Sequence, residues 1–324
     1  MYIQGGIFLF RESFLYELSN KKFLSEIIQV DLSVLKNLED LLETEKWKPY
    51  KLENKKRDLY NPTVQHKRAL KRLVRSLYSI TYPTYLYGGI KNKSYIDNAA
   101  IHKNNKYFLI ADIEKFFPST HESYVYDFFR NKMQMSIDIS RILTLLVTYQ
   151  HEEDSYRYLP QGFPTSPLLS FLAYSDMFKE LEQFAETNNL VFSAYYDDLT
   201  FSSASFISKH LKRELALILR RYGFNLSTEK TRFQKRKANN ITGVIVTKDG
   251  LKSPYKLTKK LMRLSSDLDN NLKNSSLTKE EIIVQLRRIR GCIIAIQSVD
   301  PSRNLQVYEK QINEVKRVHD VTFS

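Results

Sequence analysis

The chain has 324 residues and a single cysteine, and its 50 Lys+Arg against 36 Asp+Glu give a net charge of +14. One cysteine excludes an intramolecular disulfide scaffold, while a 42% hydrophobic content suffices for a sizeable core. The longest apolar runs, such as GIFLF (6–10) and CIIAI (292–296), fall far short of the roughly 20 residues a spanning helix needs, and Met1 heads no basic-then-apolar leader, so a soluble, intracellular protein is expected.

In chain order, residues 12–45 read as helical, with Leu15, Leu18, Phe23, Ile27, Leu35, Leu38 and Leu42 near helical spacing. Residues 64–79 form a basic helix with Ala69, Leu70, Leu73 and Leu77 on one side, broken by Tyr82-Pro83 and Gly88-Gly89. The run KYFLIADI (106–113) suits a buried strand that ends in a carboxylate. Residues 122–149 and 168–187 read as helices. Residues 189–203 read as a hairpin with Asp197-Asp198 at its turn. A helix over 208–222 follows, with Leu211, Leu215, Ile218 and Tyr222 in phase. A strand pair over 240–251 comes next, and then a basic helical tail over 255–324. The order is helices, a mixed α+β centre, then helices. No glycine-rich phosphate loop occurs.

The charge is unevenly spread. Residues 1–47 carry −3, 48–107 carry +11, 108–200 carry −8, 201–250 carry +8 and 251–324 carry +6. Any one basic run alone reads as a solvated helix face. Two basic flanks around an acidic centre look like phosphate-binding walls around a site that holds cations. Nucleic acid is the partner that fits, and no lipidation motif points to a membrane.

Three segments carry the chemistry: ADIEKFFPS (111–119), LPQGFPTSPLLS (159–170) and AYYDDLTFS (194–202). Phosphoryl transfer between nucleotides commonly uses two divalent metals about 3.5–4 Å apart, held by hard carboxylate oxygens. Asp112 at a strand end, facing the Asp197-Asp198 pair, has the right donors. Neighbouring strand residues point to opposite faces, so Asp197 and Asp198 share one metal only if the turn re-aims one of them. Alone, the Asp pair would be an ordinary hairpin turn and Asp112 an exposed strand end.

Taken together these segments resemble reverse transcriptases. Tyr195-Tyr196-Asp197-Asp198 resembles their Tyr-x-Asp-Asp signature, LPQGFPTSP their Pro-Gln-Gly-x-x-x-Ser-Pro motif, and Asp112 with Phe116-Phe117 their first catalytic motif. GFNLSTEKTRF (223–233) falls where the family carries a lysine-bearing loop. Asn98-Ala99-Ala100-Ile101-His102 and Ile241-Thr242-Gly243 are similar to the Asn-Ala-x-x-His and Val-Thr-Gly elements of bacterial retron enzymes. Two departures are Tyr196 where alanine is usual and Phe171 where asparagine is expected.

The resemblance implies an α+β right-hand polymerase: an N-terminal helical segment (1–45), fingers (46–105), palm (106–250) and helical, RNA-binding thumb (251–324). It implies a two-metal Mg²⁺ site on Asp112, Asp197 and Asp198, with Lys230 as proton donor to the leaving pyrophosphate. Gln161 would contact the incoming deoxynucleoside triphosphate and Phe117 would exclude a 2′-hydroxyl; Lys91 and Lys93 are candidates to reach the triphosphate from the fingers, although loop lysines of this kind read first as solvated. RNA contacts are expected at Asn98, His102, Thr242 and Gly243, and from Lys256, Lys259, Lys260 and Arg263, which share one helix face, with Arg287 and Arg290. The implied partners are a cognate structured noncoding RNA, its DNA product and an associated effector protein in anti-phage defence. Synthesis would start from a guanosine 2′-hydroxyl, in the bacterial cytoplasm and off the membrane. Another bacterial reverse transcriptase (diversity-generating, CRISPR-associated, abortive-infection or group II intron-like) and a non-enzymatic RNA-binding scaffold are the alternatives.

Overall fold

A computed structural model describes residues 8–52, 58–235, 238–274 and 277–322. The first two residues of the apolar run at 6–10 lie outside them. The chain divides into two compact units, one of Met1–Ser94 with Tyr107–Phe233, the other of Tyr95–Lys106 with Gln234–Ser324.

The first unit begins with three short helices, α1 (Lys21–Ile28), α2 (Leu32–Lys36) and α3 (Leu38–Leu42). The continuous helix expected over 12–45 is therefore broken. The Asn20 side chain accepts from the Lys22 and Phe23 amides to start α1, and Gln29 at φ +52° ends it. Most apolar positions still face inward, with Leu15, Leu24, Ile28, Leu35 and Leu38 buried. Phe23 does not; it is exposed. A two-stranded ribbon, β1 (Tyr50–Lys51) and β2 (Tyr60–Asn61), leads into α4 (Val64–Leu77), whose Ala69, Leu70, Leu73 and Leu77 are buried as the spacing predicts. α5 (Tyr95–Ala100) belongs to the second unit.

The centre of the first unit is antiparallel: β3 (Tyr107–Asp112) and β4 (Val191–Tyr195) flank β5 (Asp198–Ser203). The apolar run predicted as a strand is β3, and its Phe108–Asp112 stretch is buried throughout. The helix expected over 122–149 is interrupted. α6 (Glu122–Asp127) passes through one wide π turn (Phe128–Lys132), and Gln134 at φ +52° redirects the chain into α7 (Ile137–Val147). Likewise 168–187 becomes α8 (Ser166–Ala173) and α9 (Ser175–Thr187), separated at Tyr174. α9 packs on α10 (His210–Arg221) and touches β4. Phe178, Leu181, Phe192, Phe201 and Leu215 fill a core dominated by aromatic rings, each worth roughly 1.5–3 kcal/mol when fully buried.

β6 (Arg232–Lys235) runs through the point where the first unit ends. In the second unit β7 (Asn239–Ile241), β8 (Val244–Thr247) and β9 (Gly250–Lys252) form an antiparallel meander. The predicted strand pair is thus three strands, because Thr242 (φ +47°) and Gly243 (φ +90°) make an additional tight turn. α5 packs against β8. Three helices follow, α11 (Tyr255–Asn274), α12 (Lys279–Val299) and α13 (Gln306–His319), around Leu261, Leu268, Leu286, Ile289 and Ile293. A Thr278–Glu281 capping box starts α12.

Candidate active site

Asp112 ends β3 and is only 5% exposed. Across the sheet its direct register partner is Asp198, and directly opposed residues of an antiparallel pair project from the same face. The hairpin turn is Tyr196-Asp197, one residue earlier than predicted, since Asp198 already opens β5. Tyr196 takes φ +56°, a left-handed conformation rare for an aromatic residue. The turn brings Asp197 onto the wall that Asp112 lines. The Ile113 amide donates to the Asp197 carbonyl at 2.9 Å, tying the turn to the exit of β3.

Asp112, Asp197, Phe117, Gln161 and Lys230 line one cavity of about 640 Å³, with Tyr60, Tyr158 and Ser227. Lys230 Nζ donates to Asp112 Oδ1 at 2.7 Å. The backbone holds that loop in place, because the Ser227 amide donates to the Asp112 carbonyl at 2.9 Å. A second cavity of about 690 Å³, among Glu39, Glu43, Glu122 and Arg157, contains no sequence-predicted site residue.

Burial, followed by the charges of Asp197 and Asp112, pushes the Asp198 carboxyl up from its ordinary 3.8 to about 6, against the opposing pull of Lys230 and Arg232. Three carboxylates thus crowd one end of the sheet with incomplete compensation. Among the described residues no three His, Cys, Asp or Glu side chains, as they stand, converge closely enough to hold an ion. Asp112 is turned to Lys230 instead. As donors, three neighbouring carboxylates, with Asp198 raised by burial and by the other two charges, fit a hard divalent cation.

The Gln161 loop is fixed by β2. The Tyr60 amide donates to the Gln161 carbonyl at 2.7 Å. Gly162 sits at φ +113° beside it, where a Cβ would lie 2.2 Å from the Tyr60 carbonyl oxygen. Phe117 is half-buried, with its ring 5.8 Å from Phe116 and 6.3 Å from Tyr196. The bulk of Tyr196 is seated on glycines: a Cβ at Gly88 would meet the Tyr196 amide nitrogen at 2.5 Å, and one at Gly89 would meet its ring at 3.2 Å.

Other predicted residues lie elsewhere. Lys91 is exposed. The triphosphate contact expected of Lys93 is corrected, because its ammonium donates to the carbonyls of Thr84 (2.6 Å) and Leu86 (2.8 Å) and rides over the Tyr87 ring. Asn98 and His102 are buried in the second unit, 1% and 0% exposed, so neither meets RNA directly in this arrangement. Asn98 instead donates from Nδ2 to Thr242 Oγ1 at 3.1 Å and steadies the strained Thr242-Gly243 turn. Lys256, Lys259, Lys260 and Arg263 are exposed on α11, and Arg287 and Arg290 on α12. Sequence reasoning missed Tyr60 and the Gly88-Gly89 seat. The glycine pair was visible, but only as a helix breaker.

Residues 48–246 match the reverse transcriptase (RNA-dependent DNA polymerase) family. The chain is 29% identical over 213 residues to the retron Se72 reverse transcriptase of Salmonella heidelberg, covering 62% of this chain and 55% of that one. It is 27% identical over 200 residues to the retron Ec86 reverse transcriptase of Escherichia coli, covering 61% and 60% respectively. It is 25% identical over 293 residues to the retron Ec73 reverse transcriptase of Escherichia coli, covering 85% and 89%. The chain therefore spans 55% to 60% of the length of the first two relatives. With the opposed carboxylates, the Gln161-Gly162 loop and a family match over residues 48–246, the chain belongs to the reverse transcriptase (RNA-dependent DNA polymerase) family and has its α+β right-hand polymerase fold.

Proposed function

We propose that this protein is an RNA-directed DNA polymerase that copies a cognate structured noncoding RNA as part of a bacterial retron. The observation that carries the reading is the register pairing of Asp112 with Asp198, together with the cavity that Asp112 and the adjoining turn residue Asp197 line with Gln161 and Phe117.

Asp112, Asp197 and Asp198 would hold Mg²⁺. When bound, such ions activate the attacking hydroxyl and offset charge developing on the phosphoryl oxygens. Gln161 orients the incoming deoxynucleotide from a loop that β2 keeps rigid. Phe117 closes the space beside the sugar C2′. Lys230, held by Asp112 in the free protein, is released to protonate the leaving pyrophosphate. In this reading residues 1–45 form an N-terminal helical segment, 46–105 fingers, 106–250 palm and 251–324 thumb. The Thr242-Gly243 turn and the cations of α11 and α12 bind RNA, with Asn98 and His102 acting as supports beneath. Synthesis begins from a guanosine 2′-hydroxyl and leaves DNA branched from RNA. The remaining partner is an effector protein in anti-phage defence. The proposed location is the bacterial cytoplasm; no helix among the described residues is long and apolar enough to cross a membrane.

The test is to purify the protein with its bound nucleic acid, add labelled deoxynucleotides and Mg²⁺, and digest all protein. Labelled DNA that stays joined to RNA until ribonuclease treatment supports the retron reading. Labelled DNA free of RNA favours another bacterial reverse transcriptase. No labelled DNA from any RNA template overturns the polymerase reading.

A further inference from the structure

α4 carries a cationic face that the catalytic reading leaves unused. Its sequence, VQHKRALKRLVRSL, contains no acidic residue. Arg68, Lys71, Arg72 and Arg75 are spaced i, i+3, i+4 and i+7, so they form one stripe. Arg68, Lys71 and Arg75 are exposed and Arg72 is half-buried. The opposite side, through His66, Leu70, Leu73 and Leu77, is buried.

Several cations elsewhere on the first unit are paired with carboxylates: Lys21 with Asp138, Lys48 with Glu152, Lys51 with Asp58, Lys132 with Asp176, Arg141 with Glu39 and Arg221 with Glu180. Among the described residues none of the four α4 cations has an acidic partner. Four uncompensated charges at neighbouring positions repel one another, an arrangement suited to an external polyanion.

The start of α4 is built into the nucleotide loop. The His66 ring lies 5.1 Å from that of Phe163, and its Nε2 donates to the Leu146 carbonyl at 2.7 Å. Tyr60, four residues before the helix, holds the Gln161 carbonyl. Val64 in the first turn and Tyr50 in β1 are apolar surfaces left 69% and 52% exposed, and Tyr50 offers a ring on which a base can stack. The stripe from Arg68 to Arg75 spans about 10 Å at 1.5 Å per residue, so its four cations can meet a few successive phosphates of one strand.

We infer that the Arg68–Arg75 face of α4 grips the backbone of unpaired template RNA on its way to the site. This rests on the polymerase reading, because the template base must oppose the nucleotide that Gln161 orients. Binding is measured without nucleotides, so the result does not depend on whether the protein polymerises. The two substrates are a DNA–RNA duplex with about ten unpaired template nucleotides beyond the primer terminus and the same duplex cut flush. The variant converts Arg68, Lys71, Arg72 and Arg75 to Gln, and its thermal melt is compared with the parent's. The parent is expected to bind the overhang substrate more tightly, and the variant to lose that advantage. Its salt slope on this substrate falls by about 3, at roughly 0.7 per single-strand phosphate, which is about 50-fold in affinity between 50 and 200 mM salt. A second variant, Arg68→Lys, Arg72→Lys and Arg75→Lys, keeps the charge and is expected to retain the slope. Equal losses on both substrates would make the face a duplex clamp and overturn the inference. So would an unchanged slope, or a parent that binds the two substrates alike. Failure of the polymerase reading shows separately, as no primer extension by the parent.

Discussion

Gly162 and Tyr60 approach so closely that a methyl group on the glycine would stand 2.2 Å from the tyrosine carbonyl oxygen. Backbone meets backbone there, so no side-chain rotation relieves the clash. Gly162→Ala is expected to cost about 2–4 kcal/mol through strain and local displacement. Primer extension should fall at least about 100-fold as Gln161 moves. Thermal melting and single-nucleotide extension check both; an alanine variant that extends at the parent rate shows that this contact does not set the loop.

Asp112 and Lys230 should separate catalysis from stability. In Asp112→Asn the half-exposed ammonium of Lys230 returns to water, so folding is expected to be preserved while extension is abolished. In Lys230→Ala the buried Asp112 carboxylate loses its partner, costing about 1–3 kcal/mol. Denaturation midpoints of the two variants, measured beside extension rates, test the contrast. Extension by Asp112→Asn at more than a few per cent of the parent rate would remove it from the site.

Phe117→Ala is expected to raise ribonucleotide incorporation relative to deoxynucleotide. One steric contact of this kind is worth about 2–4 kcal/mol, roughly 30- to 1000-fold in the ratio. Single-nucleotide extension with each sugar measures it. An unchanged ratio assigns the gate to another residue.

Two buried histidines make stability fall in mild acid. Burial lowers His66 from 6.5 to about 4 and His102 from 6.5 to about 3. Between those values and 6.5 the unfolded chain binds more protons, so stability rises with pH. Their contribution is complete above about pH 7 and is lost progressively as pH falls through the unfolded value toward the folded ones. From pH 7 to pH 5 each histidine should cost about 2 kcal/mol. Denaturant midpoints at the two pH values test this; a smaller fall in His66→Gln and His102→Gln than in the parent is expected, and equal falls would refute it.

On α11, changing Lys256, Lys259, Lys260 and Arg263 to Gln is expected to weaken cognate RNA binding and lower its salt slope by about 2–4. A generic primer–template should be affected much less. Equal losses would reduce α11 to a general clamp. Titration of each substrate at two salt concentrations decides the matter.

Much of this arrangement was legible because it depends on local pattern. β3 announced itself as an apolar run capped by Asp112, and the Tyr195–Asp198 motif marked a hairpin. The one-residue shift of that turn was not legible, since it depends on Tyr196 accepting φ +56° over the Gly88-Gly89 seat. Helix continuity failed for similar reasons. Periodicity identifies inward-facing residues such as Leu24 and Leu35, yet says nothing of a left-handed Gln29 or a π turn at Phe128. The function of polar side chains was hardest to read. Lys93 has the composition of a phosphate ligand, but three-dimensional packing brings it to the carbonyls of its own loop. Asn98 and Thr242 are far apart in sequence, and only folding joins them.

The second unit is assembled from two stretches of chain, with Tyr95–Lys106 preceding its remainder by the whole of Tyr107–Phe233. This has a consequence for synthesis. The residues of α5 leave the ribosome long before β8, against which they pack, and at roughly 5–20 residues per second the interval is about 7 to 30 s. Throughout that wait Asn98, Ala99 and His102 have no interior to enter. A chain cut after Phe233 would make that condition permanent, leaving a dozen residues without the fold they belong to. The C-terminal part cannot be trimmed or exchanged as a cassette, and a swap between relatives that preserves folding must carry the 95–106 segment with it.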